Sequence, residues 1–401
     1  MTRLLTLDDL GTQRLAGRRI LVRVDFNVPI TGGRVMDATR LEKALPTLRE
    51  LAGHGARLIL ASHRGRPKGT PDAALTLRPV ATALSELLGA PVAFAEDCVG
   101  PAAREVVDGL ADGGICLLEN LRFHAGEKAN EPAFAAALAA LAELFVNDAF
   151  GTAHRAHASV VGVASRLTER AAGRLLAREI EVLGRLLSAP RRPFVAIVGG
   201  AKIAGKAATL ENLLPRLDTL ILGGGMANTF LAAQGHDLAA SLVETERLET
   251  AREMMARARA AGTEILLPHE LVVADDFTNP QRIETVAVES VPPGMLALDV
   301  GPAFGDRIAA VLATAGTVFW NGPLGVFEKE AFAAGTVAAA RALAASPAYT
   351  VVGGGETVAA AKLAGIADAL DHISTGGGAA LELLAGKTLP GVAALEVDSG
   401  R

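Results

Sequence analysis

Short runs rich in Val, Ile, Leu and Phe alternate with Ala- and Leu-rich stretches along the chain. In the first half the runs are RILVRV (19–24), RLILA (57–61), ICLLE (115–119) and LFVND (144–148). In the second they are FVAIVG (194–199), TLILG (219–223), EILLP (264–268), TVFW (317–320) and YTVVG (349–353). Between them lie stretches with helical spacing, such as EPAFAAALAALAEL, whose apolar positions fill more than one helix face. Strand, helix, strand in steady alternation predicts an α/β fold: parallel sheets with helices on both faces. The segment LLSAPRRPF (186–194), with two prolines and two arginines after the amphipathic stretch 171–187, predicts a hinge between near-equal halves.

Composition narrows the class. The chain has 401 residues, half of them hydrophobic and 21% charged, enough for two or three domains that each bury a core. A net charge of −5 argues against general nucleic-acid binding. Two cysteines, Cys98 and Cys116, are too few for a disulfide framework and show no metal-binding spacing, which fits a reducing compartment. The N-terminal stretch lacks a signal-peptide core, and no apolar run reaches the ~18 residues of a membrane span. The expectation is a soluble cytoplasmic protein with no membrane partner.

The halves differ in their polar signals. The glycine-dense turns all lie in the second: 199–200, 223–225, 353–355 and 376–378. Ligands of open α/β sheets bind beyond the carboxyl ends of the strands, and three of these turns directly follow a strand candidate. The first half concentrates Arg and His in SHRGRP (62–67), NLRFH (120–124) and GTAHRAH (151–157). One half is suited to backbone contact with phosphates, the other to side-chain contact with a small anion.

Individual motifs leave alternatives open. Arg40, Arg66, Arg122 and Arg155 each read better singly as solvated surface residues, but as a set, with His63 and His154, they point to an anion site. Asp25 and Asn27 in VRVDFNVP read either as a strand-end turn or as a hydrogen-bonding pair for substrate hydroxyls. GGAKIAGKA (199–207) satisfies GxxxxGK, yet Ala207 stands where a P-loop needs Ser or Thr for magnesium. Lys202 and Lys206 remain, four apart on one face of an expected helix start, where an anion would relieve their repulsion. Glu328 in WNGPLGVFE suits ribose hydroxyls or a helix N-terminus. VVGGGETVAAAK (351–362) reads as strand, glycine turn and helix start, the geometry that bares N–H groups to an anion; Glu356 belongs there only if a cation lies between. No GxGxxG follows a strand, which removes the best support for a nicotinamide dehydrogenase.

Taken in order, VRVDFNVP, DATR, SHRGRP, LLENLRFH, NDAFGTAHRAHAS, GGAKIAGK, GGGMANTF, TVFWNGPLGVFE, GGGET and STGGGAALELLAGK resemble phosphoglycerate kinase over residues 20–392. The resemblance implies two similar-sized doubly wound parallel-sheet (Rossmann-like) lobes: a phosphoglycerate-binding domain (1–170), a helix and hinge (171–193), a nucleotide-binding domain (194–388) and a tail (389–401) returning to the first. It implies a monomer that moves a phosphoryl group between 1,3-bisphosphoglycerate and ADP, giving 3-phosphoglycerate and ATP with Mg²⁺, after the lobes close to exclude water. By motif, Asp25, Phe26, Asn27, Arg40, His63, Arg64, Gly65, Arg66, Arg122, His154 and Arg155 fall in the phosphoglycerate segments. Lys202, Lys206, Asn321, Glu328, Gly354, Gly355, Glu356 and Thr357 fall in the nucleotide segments, with Glu356 at the metal position. Arg40 and Lys202 are expected to act on the transferring group, joined by the N–H groups of Gly376, Gly377 and Gly378. The sequence departs from the family pattern at Glu356 (usually Asp), at Arg64 (usually Leu, and here expected to face solvent), and at Gly205 and Ala207, where polar residues are usual. Another ATP-dependent phosphotransferase, or a two-lobed anion binder without chemistry, are the competing readings.

Overall fold

The computed structural model describes residues 2–11 and 14–398. The chain divides into two units: residues up to Glu181 together with those from Thr388 onward, and Val182–Lys387. The division falls within the helix Arg174–Ser188, before the proline and arginine segment in which the sequence places a hinge.

The first unit contains β1 (Thr2–Leu4), β2 (Arg19–Arg23), β3 (Ile30–Thr31), β4 (Arg34–Val35), β5 (Arg57–Ala61), β6 (Val92–Ala95), β7 (Ile115–Leu118), β8 (Leu144–Asn147) and β9 (Arg170–Ala172). Six of these form a parallel sheet in the order β6-β7-β5-β2-β8-β9. In register, Val22 lies opposite Leu60 on one side and Val146 on the other. These three pack with Leu41 and Leu48 of the helix Thr39–Gly53 and with Val80 and Leu84 of the helix Arg78–Leu88. Burying each such side chain contributes roughly 1.5–3 kcal/mol, which is why apolar runs this short suffice to set the sheet. A C-terminal strand, β19 (Glu396–Asp398), pairs antiparallel with β1.

The second unit contains β10 (Phe194–Val198), β11 (Thr219–Leu222), β12 (Glu264–Leu266), β13 (Glu270–Ala274), β14 (Ile283–Ala287), β15 (Leu296–Val300), β16 (Thr317–Asn321), β17 (Tyr349–Val352) and β18 (His372–Ile373). Its parallel sheet runs β12-β11-β10-β16-β17-β18. Val195, Ile197, Val318 and Trp320 pack against Phe304, Ile308 and Leu312 of the helix Pro302–Leu312. A separate antiparallel sheet, β14-β13-β15, has its own small core around Leu271, Val273 and Met295.

Both main sheets are doubly wound. From β2 the chain steps outward to β5 and beyond, then returns to the other side of β2 with β8; from β10 it steps to β11 and β12, then returns with β16. Each sheet therefore has a switch point, between β2 and β8 and between β10 and β16. The crevice beyond the strand ends there is the default ligand position. Among the described residues no helix is long and apolar enough to cross a membrane.

Candidate active site

In the first unit, the loops after β2, β5, β7 and β8 carry the expected residues. Arg40, in the first turn of the helix Thr39–Gly53, donates through Nη1 to Asp25 Oδ2 at 2.6 Å. Asn27 is exposed, and its Oδ1 accepts the Gly65 N–H at 2.9 Å, tying the loop after β2 to the loop after β5. Arg122, partly buried, donates to the Gly65 carbonyl at 2.6 Å and so joins the loop after β7 to the same turn. Phe26 is buried, and its N–H donates to Ser62 Oγ at 2.9 Å. Arg66 and Arg155 are exposed, and His154 is partly buried. Arg64 corrects one expectation. Half-buried, its guanidinium is not free in solvent but is tied at the surface to the carbonyl of Ala74 at 2.6 Å, because the segment 72–76 offers carbonyls within its reach.

Beneath this surface lies a buried charged network that the motifs did not single out. Arg23, at the end of β2, is 1% exposed. It donates through Nε to Ser159 Oγ at 2.8 Å and meets His63 Nδ1 at 3.1 Å through Nη2. A guanidinium can only donate, so Nδ1 of His63 is the acceptor and its ring proton sits on Nε2. Burial, followed by the charges of Arg23, Arg122 and Arg40 and by His157, holds the His63 pKa well below the ordinary range. His63 is thus a neutral donor at physiological pH rather than one more cation in the set. Burial and then Arg23, Arg122 and Arg155 likewise lower His157 to about 4. Glu127, fully buried, accepts from Ser159 Oγ at 2.7 Å and Ser159 N at 3.0 Å, and its charge offsets that of Arg23. A charged residue directly after the apolar run ILV of the strand RILVR, ahead of further apolar residues, is the sequence signal for Arg23; Glu127 and Ser159 carried none.

In the second unit, the turns after β10, β16 and β17 interlock through backbone. The Gly199 N–H donates to the Asn321 carbonyl at 3.1 Å and the Gly200 N–H to the Pro323 carbonyl at 2.9 Å. Lys206 reaches into this junction, its Nζ donating to the carbonyls of Gly199 at 2.7 Å and Asn321 at 2.9 Å. Gly322 has φ +100°, and a Cβ there would lie 2.6 Å from Lys206 Nζ, so only glycine leaves the ammonium its place. Burial lowers the Lys206 pKa to about 8, against the opposing charge of Glu356. The two lysines do not share a helix face as expected: the helix Ala207–Leu213 begins after both, Lys202 is exposed in the preceding loop, and Lys206 is its N-cap. The glycines at 199, 200 and 205 favour an extended turn over an early helix start.

Gly354, at φ +94°, turns the chain from β17 into the helix Gly355–Leu363, leaving the first-turn N–H groups of the exposed Gly355 and Glu356 outside the helical ladder, which starts at Val358. Thr357 and Asn321 hold this turn from beneath. Thr357 Oγ1 donates to Gly353 O at 2.8 Å and accepts the Gly322 N–H at 2.7 Å, and Asn321 Nδ2 donates to Gly353 O at 2.8 Å. Glu356 and Glu328 are exposed. Of the three glycines after β18, Gly376 is buried and its N–H donates to Ser374 Oγ at 3.2 Å, which commits one of the three expected donors. Gly377 is the N-cap of the helix Gly378–Leu384 and Gly378 its first residue.

The loops of one switch point thus carry arginine side chains, and those of the other carry backbone amides with a lysine. The phosphoglycerate kinase family profile matches residues 7–387. The chain belongs to the phosphoglycerate kinase family. A phosphoglycerate kinase of Moorella thermoacetica is 55% identical over 98% of this chain and 98% of its own length. One of Desulforudis audaxviator is 56% identical over 95% and 97%. The solved structure of phosphoglycerate kinase from Coxiella burnetii superposes with a TM-score of 0.89 at 40% identity, covering 98% of this chain and 99% of that one. That from Pyrococcus horikoshii gives 0.85 at 33% identity. The two six-stranded parallel sheets are those of a two-lobed phosphoglycerate kinase, as the motif order implied.

Proposed function

We propose the following division of labour for the reaction this kinase catalyses, the transfer of a phosphoryl group between 1,3-bisphosphoglycerate and ADP to give 3-phosphoglycerate and ATP. The first unit holds the phosphoglycerate: Arg66, Arg122 and Arg155 meet its phosphate, while Asp25, Asn27 and neutral His63 meet its carboxyl and hydroxyl groups. The Arg40–Asp25 ion pair, at 2.6 Å, is the observation that carries this reading, because it aims a guanidinium at the strand ends before any ligand arrives. Arg40 keeps further N–H groups for the transferring phosphoryl.

The second unit holds the nucleotide. Two of the three Lys206 donors are used on carbonyls, and the third is left for a phosphate oxygen. The first-turn amides of Gly355 and Glu356 add to the helix N-terminus. The family's loose transition state spreads charge over the equatorial oxygens, so Arg40 and Lys202 work by alignment and charge neutralisation rather than by covalent catalysis. Glu356 fits Mg²⁺: it is an exposed hard oxygen donor beside the phosphate-facing turn, and Mg²⁺ keeps several waters instead of needing a protein cage. Bound there, the ion neutralises charge on the nucleotide phosphates. On the same reading the enzyme is a cytoplasmic monomer without nucleic-acid partners, and its lobes close to keep water from the acyl phosphate.

A coupled assay of ATP formation from 1,3-bisphosphoglycerate and ADP tests the proposal. ATP should form with Mg²⁺ present, in a yield approaching one per acyl phosphate consumed. Consumption without ATP would refute water exclusion, and no consumption with intact phosphoglycerate binding would leave a binder.

A further inference from the structure

At the β6 edge of the first unit's sheet, the segment after β6 meets the end of the turn Leu121–Phe123, which carries Arg122. Asp97, Cys98 and His124 each bring one ligand atom to this place, and all three atoms lie within 4.8 Å of one another. His124 Nε2 is 2.6 Å from Asp97 Oδ1, and the fully buried Cys98 thiol donates to the Glu119 carbonyl at 3.0 Å. Asp97 Oδ1 also accepts the Cys98 N–H at 2.6 Å, which fixes the carboxylate, and the His124 ring stacks on Phe134 with centroids 4.9 Å apart, which fixes the imidazole. Residues 26 positions apart in sequence are thus pre-set as a sulfur, nitrogen and oxygen triad, although neither cysteine shows metal spacing in the sequence.

We propose that Asp97, Cys98 and His124 form a site for a zinc-class divalent metal, with water completing the coordination. The donor set decides the class: thiolate and imidazole favour Zn²⁺ over Mg²⁺, which prefers oxygen. Zn–S of about 2.3 Å and Zn–N of about 2.0–2.1 Å put tetrahedral ligands roughly 3.5 Å apart, so the Asp97–His124 pair opens by about an ångström to admit the ion. On binding, the Cys98 S–H bond breaks with loss of its hydrogen bond to the Glu119 carbonyl, the sulfur turns to form the sulfur–metal bond and the proton leaves to solvent; no electron is transferred. Partial exposure of Asp97 and His124 gives the ion its path in. Because His124 ends the turn that carries Arg122, the metal would brace that turn against the end of β6.

Co²⁺ titrated into the chelator-stripped full chain, without nucleotide, tests the site. The wild type should bind one equivalent with a thiolate-to-cobalt charge-transfer band and tetrahedral d–d bands, displaced by Zn²⁺. Cys98→Ser should lose the charge-transfer band, His124→Asn should bind at least about tenfold more weakly, and Cys116→Ser should match the wild type. Zn²⁺ should also raise the thermal midpoint of the wild type and leave that of His124→Asn unchanged. The absence of a thiolate band in the wild type, or its persistence in Cys98→Ser, would overturn the proposal.

Discussion

On the proposed division of labour, Arg40 is a single side chain prepared for the reaction. Asp25 holds it at 2.6 Å, and its remaining N–H groups are needed most where charge develops. Arg40→Ala should therefore lower kcat by roughly 10²–10³-fold while ADP affinity changes little, read from steady-state kinetics beside an ADP titration. Unchanged turnover would remove Arg40 from the mechanism. Lys206 makes a pH-dependent prediction. Its pKa in the free enzyme is about 8, below the ordinary lysine value because of burial, and a bound phosphate favours the charged form. Below pH 8 the ammonium is present with or without nucleotide, so this group adds no pH dependence. Above it, binding must take up a proton, and ADP affinity should fall by up to about tenfold per pH unit. In Lys206→Met affinity should be weaker at neutral pH and lack that decline. Most of these residues were legible in the sequence because strand-end loops of a doubly wound sheet expose what they carry. The Arg23, Ser159 and Glu127 network was not, since it joins residues 136 positions apart whose types suggest no chemistry singly.

At the scale of elements, the glycine turns owe their shape to contacts that only folding creates. The sequence shows GGGET as a bared anion turn; it does not show that Thr357 and Asn321 fasten the turn to the loop after β16. Glu356 sits at the outer edge of that fastened turn. Glu356→Ala should reduce the Mg²⁺ dependence of ADP binding, measured by titrating ADP with and without the ion. An untouched dependence would place the ligand elsewhere. Stability shows the same logic. Asp148, buried after β8, accepts the N–H groups of Leu175 at 2.9 Å and Leu176 at 3.2 Å at the start of the helix Arg174–Ser188. Asp148→Ala should cost about 1–2 kcal/mol by loss of this cap, seen as a lower denaturant midpoint with unchanged slope. The strands predicted from apolar runs all form. Among those passed over, β1, β3, β4, β6, β9, β18 and β19 have only two to four residues and β14 is half-exposed, patterns too short or too polar to stand out, whereas β13 (ELVVA) and β15 (LALDV) are five-residue, mostly apolar runs that the sequence does show.

For the whole molecule, the division into two sheets was written in the chain as two successive series of strands and helices with different polar signals. The boundary was less visible, because the helix Arg174–Ser188 runs through it without a break in pattern. The central claim is that each unit holds its own substrate: side chains of the first the phosphoglycerate, the glycine turns and Lys206 of the second the nucleotide. Calorimetric titration of 3-phosphoglycerate and of ADP into Arg122→Ala and Lys206→Met enzymes tests it most directly. Arg122→Ala should weaken 3-phosphoglycerate binding and leave ADP within about twofold of wild type, while Lys206→Met should do the reverse, each lost charge-assisted contact being worth about 1.5–3 kcal/mol. A loss of ADP binding in Arg122→Ala, or of 3-phosphoglycerate binding in Lys206→Met, would contradict the assignment of substrates to units.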